Sequence, residues 1–253
     1  MPRYEPAGDA FQQASCSANE KSTAKELGED FPQYLPQANP DLVQVQLPDP
    51  ANFTPPQNDF QQLALNRRSH RHYDTEGILS LSELSYLLQM TQGLRDDSQP
   101  QKLTRRYVPS AGSRHPFETY LAVQLVEGLE PGIYHYLPEQ HALELWKPGL
   151  EALKAAHATT YNQKQVVDSA VTFCWVAEVY RTSWRYGMRA YRYIYIDAGH
   201  VCQNLYMAAE SIGYGVCAIG AFDDEQATTT FELDGKERFM AYMASVGKIL
   251  PPA

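Results

Sequence analysis

The chain has 253 residues, 43% of them hydrophobic and 20% charged, with a net charge of −9. That balance and length suit one large soluble domain, or a domain with an arm. The acid excess argues against nucleic acid as the main partner, since a phosphate backbone needs a basic field, and no apolar run approaches the ~18 residues of a membrane span.

Residues 1–56 carry prolines at 32, 36, 40, 48, 50, 55 and 56 and no steady periodicity. Long helices cannot persist through that spacing. The segment is expected to be an extended arm, with a short helix near Thr23–Leu27, wrapping either the body or a partner; plain disorder is the alternative. The body then covers residues 57–253. Phe60–Asn66 predicts a short helix that runs into Arg67-Arg68-Ser69-His70-Arg71. Three guanidinium groups and a hydroxyl within five residues could grip a phosphate, though a solvated basic turn has the same composition. Ser80 with Glu83 three residues on is a capping box, so a helix follows through Leu81, Leu84, Leu87 and Leu88 to Gly93. Leu94–Lys102 is polar and predicts a loop.

Pro109-Ser110-Ala111-Gly112-Ser113 is a turn of small residues, which lets a flat ligand approach the backbone. Thr119–Val126, Ile133–Tyr136 and His141–Leu145 predict a meander, and Leu150–Ala158 a short helix. Ala170–Ala177 is apolar throughout, as in a central strand buried on both faces. Arg181, Arg185, Arg189 and Arg192 recur at helical spacing and predict one basic stripe. A long helix is expected from about Tyr191 to Ile212, then strands at Gly215–Gly220 and Phe239–Val246. The order predicts an α+β domain with an antiparallel or mixed sheet and packed helices. No Gly-x-Gly-x-x-Gly follows a first strand, so a Rossmann fold is not expected.

The N-terminus shows no apolar core of a secretory signal. Cys16, Cys174, Cys202 and Cys217 form no Cys-x-x-Cys pair, and no zinc-spaced cluster is visible. A cytoplasmic protein without a metal is the expectation.

Taken in order, Arg67–Arg71, Leu79–Leu84, Val108–Gly112, Val126–Tyr136, Tyr191–Tyr193, Ala198–His200 with Gln203–Leu205, and Ile219–Asp224 carry a resemblance. The chain resembles the nitroreductase superfamily, in particular its SagB-type dehydrogenase branch, which includes the azoline oxidases that finish thiazoles and oxazoles in modified peptides. The resemblance spans about residues 60–248. It implies a nitroreductase-like fold, an intertwined homodimer, and FMN held between the two subunits. By that resemblance Arg67, Ser69 and Arg71, with Arg68 assisting, would hold the FMN phosphate and reach the pyrimidine edge. Pro109, Ser110, Ala111, Gly112 and Ser113 of the other subunit would line the ring. Ile219, Gly220 and Ala221 would border flavin N5, the last two through backbone N–H groups, and Lys248 would add charge near the phosphate.

Two departures from the family pattern stand out. Gly-Ala-Phe at 220–222 replaces Gly-Gly-Phe, which keeps the backbone N–H. Arg185-Tyr186 replaces the Lys-Tyr pair of the azoline oxidases. A guanidinium is a poor base, protonated to above ~12, which counts against azoline oxidation. Tyr186 remains a candidate acid, and Arg185 could draw an anionic substrate or a phosphate of NAD(P)H.

The expected function is therefore an FMN oxidoreductase moving hydride from NAD(P)H or a reduced substrate to an acceptor. Its catalytic candidates are Tyr186 and Arg185. Azoline dehydrogenation of a peptide is the alternative. A non-catalytic scaffold subunit is the alternative of another class.

Overall fold

The computed structural model describes residues 6–16, 21–99 and 104–250. Residues 100–102 of the expected polar loop lie outside them. Among the described residues no helix is long and apolar enough to cross a membrane.

Seven strands form one sheet: β1 (Gln44–Gln46), β2 (Phe117–Val123), β3 (Gly132–Leu137), β4 (Ala142–Pro148), β5 (Val171–Glu178), β6 (Tyr214–Ile219) and β7 (Arg238–Lys248). Their spatial order is β1-β4-β3-β2-β5-β7-β6, and every pairing is antiparallel. The meander is β2–β3–β4, and β5 sits between β2 and β7 as the unbroken apolar run requires. Side chains alternate across a strand. Val171, Phe173, Trp175 and Ala177 thus face one core with Leu84, Leu88, Val201 and Leu205, while Cys174 and Val176 face another with Leu153, Ala156 and Ala227.

The helices are α1 (Pro6–Ala14), α2 (Phe60–Asn66), α3 (Leu81–Gln92), α4 (Gly149–Thr159), α5 (Lys164–Val167), α6 (Val179–Tyr186), α7 (Ala190–Ser211) and α8 (Asp224–Thr230). The start of α3 is the expected capping box. Ser80 Oγ accepts the Glu83 N–H at 3.2 Å, and Glu83 Oε2 accepts the Ser80 N–H at 2.8 Å.

Three features differ from the sequence reading. Thr23–Leu27 forms turns rather than a helix, whereas α1 opens with Pro6 at its first position, where the missing N–H costs nothing. Residues 44–46 of the proline-punctuated segment join the sheet as edge strand β1 against β4. The single basic stripe does not exist. Gly187, at φ 50°, ends α6, and a short 3₁₀ turn separates it from α7. The four arginines consequently diverge. Arg181 is buried on Glu118, and Arg185 is exposed. Arg189 Nε donates to the Tyr193 hydroxyl at 3.0 Å, and Arg192 Nη2 reaches Gln12 and Ser15 of the α1 region at 2.7 Å each.

Replacing Ser80 by Ala removes an N-cap acceptor on a helix whose apolar face fills the core. It is expected to lower unfolding free energy by about 1 kcal/mol in urea titration without changing the slope.

Candidate functional site

The first half of the site lies along β6. Asp59 caps α2 by accepting the Gln62 N–H, and the helix ends when the Arg67 N–H closes on the Leu63 carbonyl at 2.9 Å. The chain then runs beside β6. Ser69 bridges Val216 in parallel, and the His70 N–H donates to the Val216 carbonyl at 2.9 Å. This approach demands glycine at 215, since a Cβ there would sit 2.6 Å from the His70 side chain.

Tyr206 of α7 is the floor beneath this segment. Its hydroxyl accepts the Ala218 N–H at 2.9 Å and shares a hydrogen bond with Ser69 Oγ at 3.0 Å. The Arg67 guanidinium lies 5.3 Å above the Tyr206 ring. Arg71 is exposed, and its Nη1 reaches the Ser69 carbonyl at 3.5 Å. Lys248 ends β7 opposite Tyr214, the first residue of β6, where it is exposed, and its carbonyl accepts the Asp74 N–H at 3.0 Å. Among the described residues, Arg67, Arg68, Arg71 and Lys248 make no ion pair with a carboxylate. Arg68 is turned elsewhere: its Nη1 donates to the carbonyls of Leu65, Asn66 and Arg67 and closes the end of α2. At the exit of β6, Ile219 is buried while Gly220 and Ala221 are exposed, and Gln163 holds the Ala221 carbonyl at 2.7 Å.

The second half is the 109–116 turn, anchored nearer the start of α7. Ser110 Oγ donates to Asp197 Oδ2 at 2.6 Å, and the Ala111 N–H donates to Oδ1 at 3.3 Å. Burial pushes the Asp197 carboxyl up, and these bonds counter the shift. Gly112 takes φ 57° and touches the second candidate pair directly: a Cβ there would meet the Tyr186 hydroxyl at 2.4 Å and Arg185 Nη1 at 3.2 Å. Arg185 lies 5.5 Å over the Tyr186 ring, and the Tyr193 ring meets Tyr186 edge-on at 4.8 Å. Pro109 is exposed, and Ser113 is half-buried with φ 53°.

The structure thus places Arg67, Ser69 and Arg71 beside β6, with Lys248 opposite its first residue and Gly220 and Ala221 beyond its last, and separately gathers Arg185 and Tyr186 on the 109–113 turn. No hydrogen bond or ion pair joins the two groups among the described residues. Their anchors, Tyr206 and Asp197, stand nine residues apart on α7, which is about 14 Å at the helical rise.

A family model described as "Nitroreductase family" matches residues 64–248. The chain belongs to the nitroreductase family. A candidate nitroreductase of Methanocaldococcus jannaschii is 33% identical over 189 residues, covering 74% of this chain and 88% of its own length. The microcin B17-processing protein McbC of Escherichia coli is 27% identical over 143 residues, covering 51% of this chain and 49% of its own length. A solved structure of a candidate nitroreductase from Anabaena variabilis superposes with a TM-score of 0.67 at 26% identity, covering 83% of this chain and 42% of that one. A structure from Exiguobacterium sibiricum, in complex with FMN, gives 0.52 at 19% identity, covering 79% and 94%.

Sequence reasoning missed Asp197 and Tyr206. Both sit on the buried face of α7, and a carboxylate at 197 within the apolar stripe of Ile194, Ala198 and Val201 was the available signal. It also missed the ion network that docks α6 on the sheet. Glu118 of β2 binds Arg181 of α6 and sits 3.1 Å from His135, which also meets Glu144 at 2.9 Å. Burial would raise the Glu118 carboxyl, but the His135 hydrogen bond and the Arg181 charge outweigh it and hold the group down from 4.5 to about 2.

A depressed carboxyl contributes stability that is present above 4.5 and lost as pH falls toward 2. Burial opposes charging of His135, yet bonds from Glu118 and Glu144 raise it, so its contribution is present below 6.5 and fades as pH rises. Glu118→Gln should therefore be less stable than the parent at neutral pH, with the gap closing between 4.5 and 2 in denaturant titrations across pH. Tyr206→Phe leaves the Ala218 N–H without its acceptor and should cost about 1–3 kcal/mol in the same assay.

Proposed function

We propose that this chain is an FMN-dependent oxidoreductase that works as a homodimer, each FMN lying in a seam built by both copies. The observation that carries the reading is the unpaired cationic face of Arg67, Arg71 and Lys248 beside β6, in a chain of net charge −9. A half-buried and an exposed guanidinium, Arg67 and Arg71, both free of carboxylates, suit a phosphomonoester carrying roughly −2 charge. Family membership and the FMN-bound relative support the choice of ligand.

When bound, FMN supplies hydride transfer. The chain's own residues do the rest. Arg67, Arg71 and Lys248 would neutralise the phosphate, and Ser69 would donate its hydroxyl, set in place by Tyr206. The Gly220 and Ala221 N–H groups would offer preorganised donors to the ring edge. The 109–113 turn would come from the second copy. A seam between copies accounts for the separation of the two anchors on α7. It would also cover apolar surface left open by one copy, including Phe60 at 74% exposure, Ile78 at 60% and Tyr195 at 54%.

Tyr186 would hold the proton that accompanies hydride, and Arg185 would draw an anionic group of the substrate. A second reading, azoline dehydrogenation in a peptide, is supported by the relationship to a microcin-processing protein and by the tyrosine on the turn. The arginine at 185 weighs against it, because a guanidinium does not serve as a base. Hydride donated by NAD(P)H to a small conjugated acceptor needs no such base.

The test is purification followed by flavin spectroscopy, anaerobic reduction and sedimentation. The expected protein is a yellow dimer, bleached by NADPH. Arg67→Ala with Arg71→Ala should lose at least about tenfold in FMN affinity, one charge-assisted contact being about 1.5–3 kcal/mol. Tyr186→Phe should keep the flavin and lose roughly a hundredfold in turnover. A colourless wild-type dimer would sink the reading. Aromatisation of an azoline peptide without NAD(P)H would move the assignment to the second one.

A further inference from the structure

We propose that the N-terminal segment 25–34 is a strap that positions Tyr186 against the 109–113 turn, acting through Arg114. The inference rests on the reading of that turn as part of the active site, and it adds a set of positioning residues that neither the motifs nor the family resemblance contains.

The strap is tied along α6. The Lys25 N–H donates to the Trp184 carbonyl at 2.8 Å, and Trp184 Nε1 donates to the Glu29 carbonyl at 3.0 Å. Tyr180 donates its hydroxyl to Glu29 Oε2 at 2.9 Å, and Arg181 Nε donates to the Gln33 carbonyl at 3.1 Å. These bonds deliver two rings, Phe31 and Tyr34, edge to face at 4.7 Å, with Phe31 also 5.1 Å from Trp184.

The rings surround one guanidinium. Arg114 Cζ lies 4.6 Å from the Tyr34 ring, 5.2 Å from Phe31 and 5.7 Å from Trp184. Arg114 is only 3% exposed, forms no ion pair among the described residues, and its Nη1 meets no hydrogen-bond acceptor there. A buried charge without a carboxylate needs another source of compensation, and three aromatic faces provide it. Burial and the nearby Arg185 hold the group down to about 10, so it keeps its charge at neutral pH.

Among the described residues, the hydrogen bond of the Arg114 guanidinium goes to the turn, beside the Arg114 backbone N–H, which donates to the Ala111 carbonyl at 3.2 Å. Its Nε donates to the Gly112 carbonyl at 2.9 Å. Gly112 is the residue whose missing Cβ leaves room for the Tyr186 hydroxyl. The order of contacts is therefore Phe31 and Tyr34, then Arg114, then the Gly112 peptide, then Tyr186. Moving the rings moves the guanidinium, and the turn loses its side-chain bond at the Gly112 carbonyl. Reaction geometry tolerates little of this, since a displacement of about 1 Å can cost a hundredfold in rate.

Two double variants separate positioning from bulk stability. Phe31→Leu with Tyr34→Leu removes the π faces, whereas Phe31→Tyr with Tyr34→Phe keeps them. Hydrogen exchange of the 110–115 amides, in protein stripped of flavin, should quicken at least about tenfold in the leucine pair and stay at the parent rate in the ring-preserving pair, with β5 unchanged in both. In the FMN-loaded dimer, the leucine pair should lose about tenfold in kcat with KM and flavin content unchanged, and add no further loss in a Tyr186→Phe background. Unchanged exchange at the turn overturns the proposal. So does equal quickening in β5, which would mean general loosening, or a loss of kcat that adds to that of Tyr186→Phe. A wild type that binds no flavin would defeat the oxidoreductase reading alone, and the exchange comparison would still decide the strap.

Discussion

Two buried hydrogen-bonding groups on one helix organise the candidate site. Asp197 and Tyr206 both face inward from α7; Asp197 holds the 109–113 turn by a backbone N–H and a serine, and Tyr206 ties Ser69 to strand β6 at the Ala218 N–H. The loops themselves are made of small or charged residues with little apolar surface, so packing alone could not fix them. A helix inside the core is rigid, and two polar groups on it transmit that rigidity to chain that has none of its own. Truncating either group would leave a partly buried partner unsatisfied.

Charge is distributed to match. The protein as a whole is acidic, yet the face beside β6 carries cations without carboxylates, while the carboxylates that could neutralise arginine are used elsewhere. Glu118 and Glu178 bind Arg181 and Arg238 on the far part of the sheet. The first pair fastens α6 to β2, and the second joins the end of β5, where α6 begins, to β7. The same fastening sets where Arg185 and Tyr186 emerge, because they occupy the last turn of α6. A structural ion network at one end of the helix and the candidate pair at the other are thus mechanically one unit.

The segment before residue 57 belongs to the same unit. It supplies an edge strand to the sheet and two aromatic rings to Arg114. Its prolines prevent long helices but leave extended chain that can follow α6 and donate or accept hydrogen bonds as it goes. An arm of this kind gives a family fold a way to alter the candidate-site turn without changing the sheet.

The strands and helices were legible because their signals are local. The apolar run at 170–177 had to be a doubly buried strand, the Ser80–Glu83 pair had to start a helix, and the ordered motifs between 67 and 224 pointed to the nitroreductase family. The break between α6 and α7 was not legible, since the arginine spacing continued through it; one glycine at positive φ and four separate partners decided it. Nor could local pattern reveal that Ser69 depends on a tyrosine 137 residues away, or Arg114 on rings from the arm. Periodicity and capping record what a stretch of chain prefers by itself. Which buried polar group meets which loop is set only when distant segments are packed together and each donor must find an acceptor.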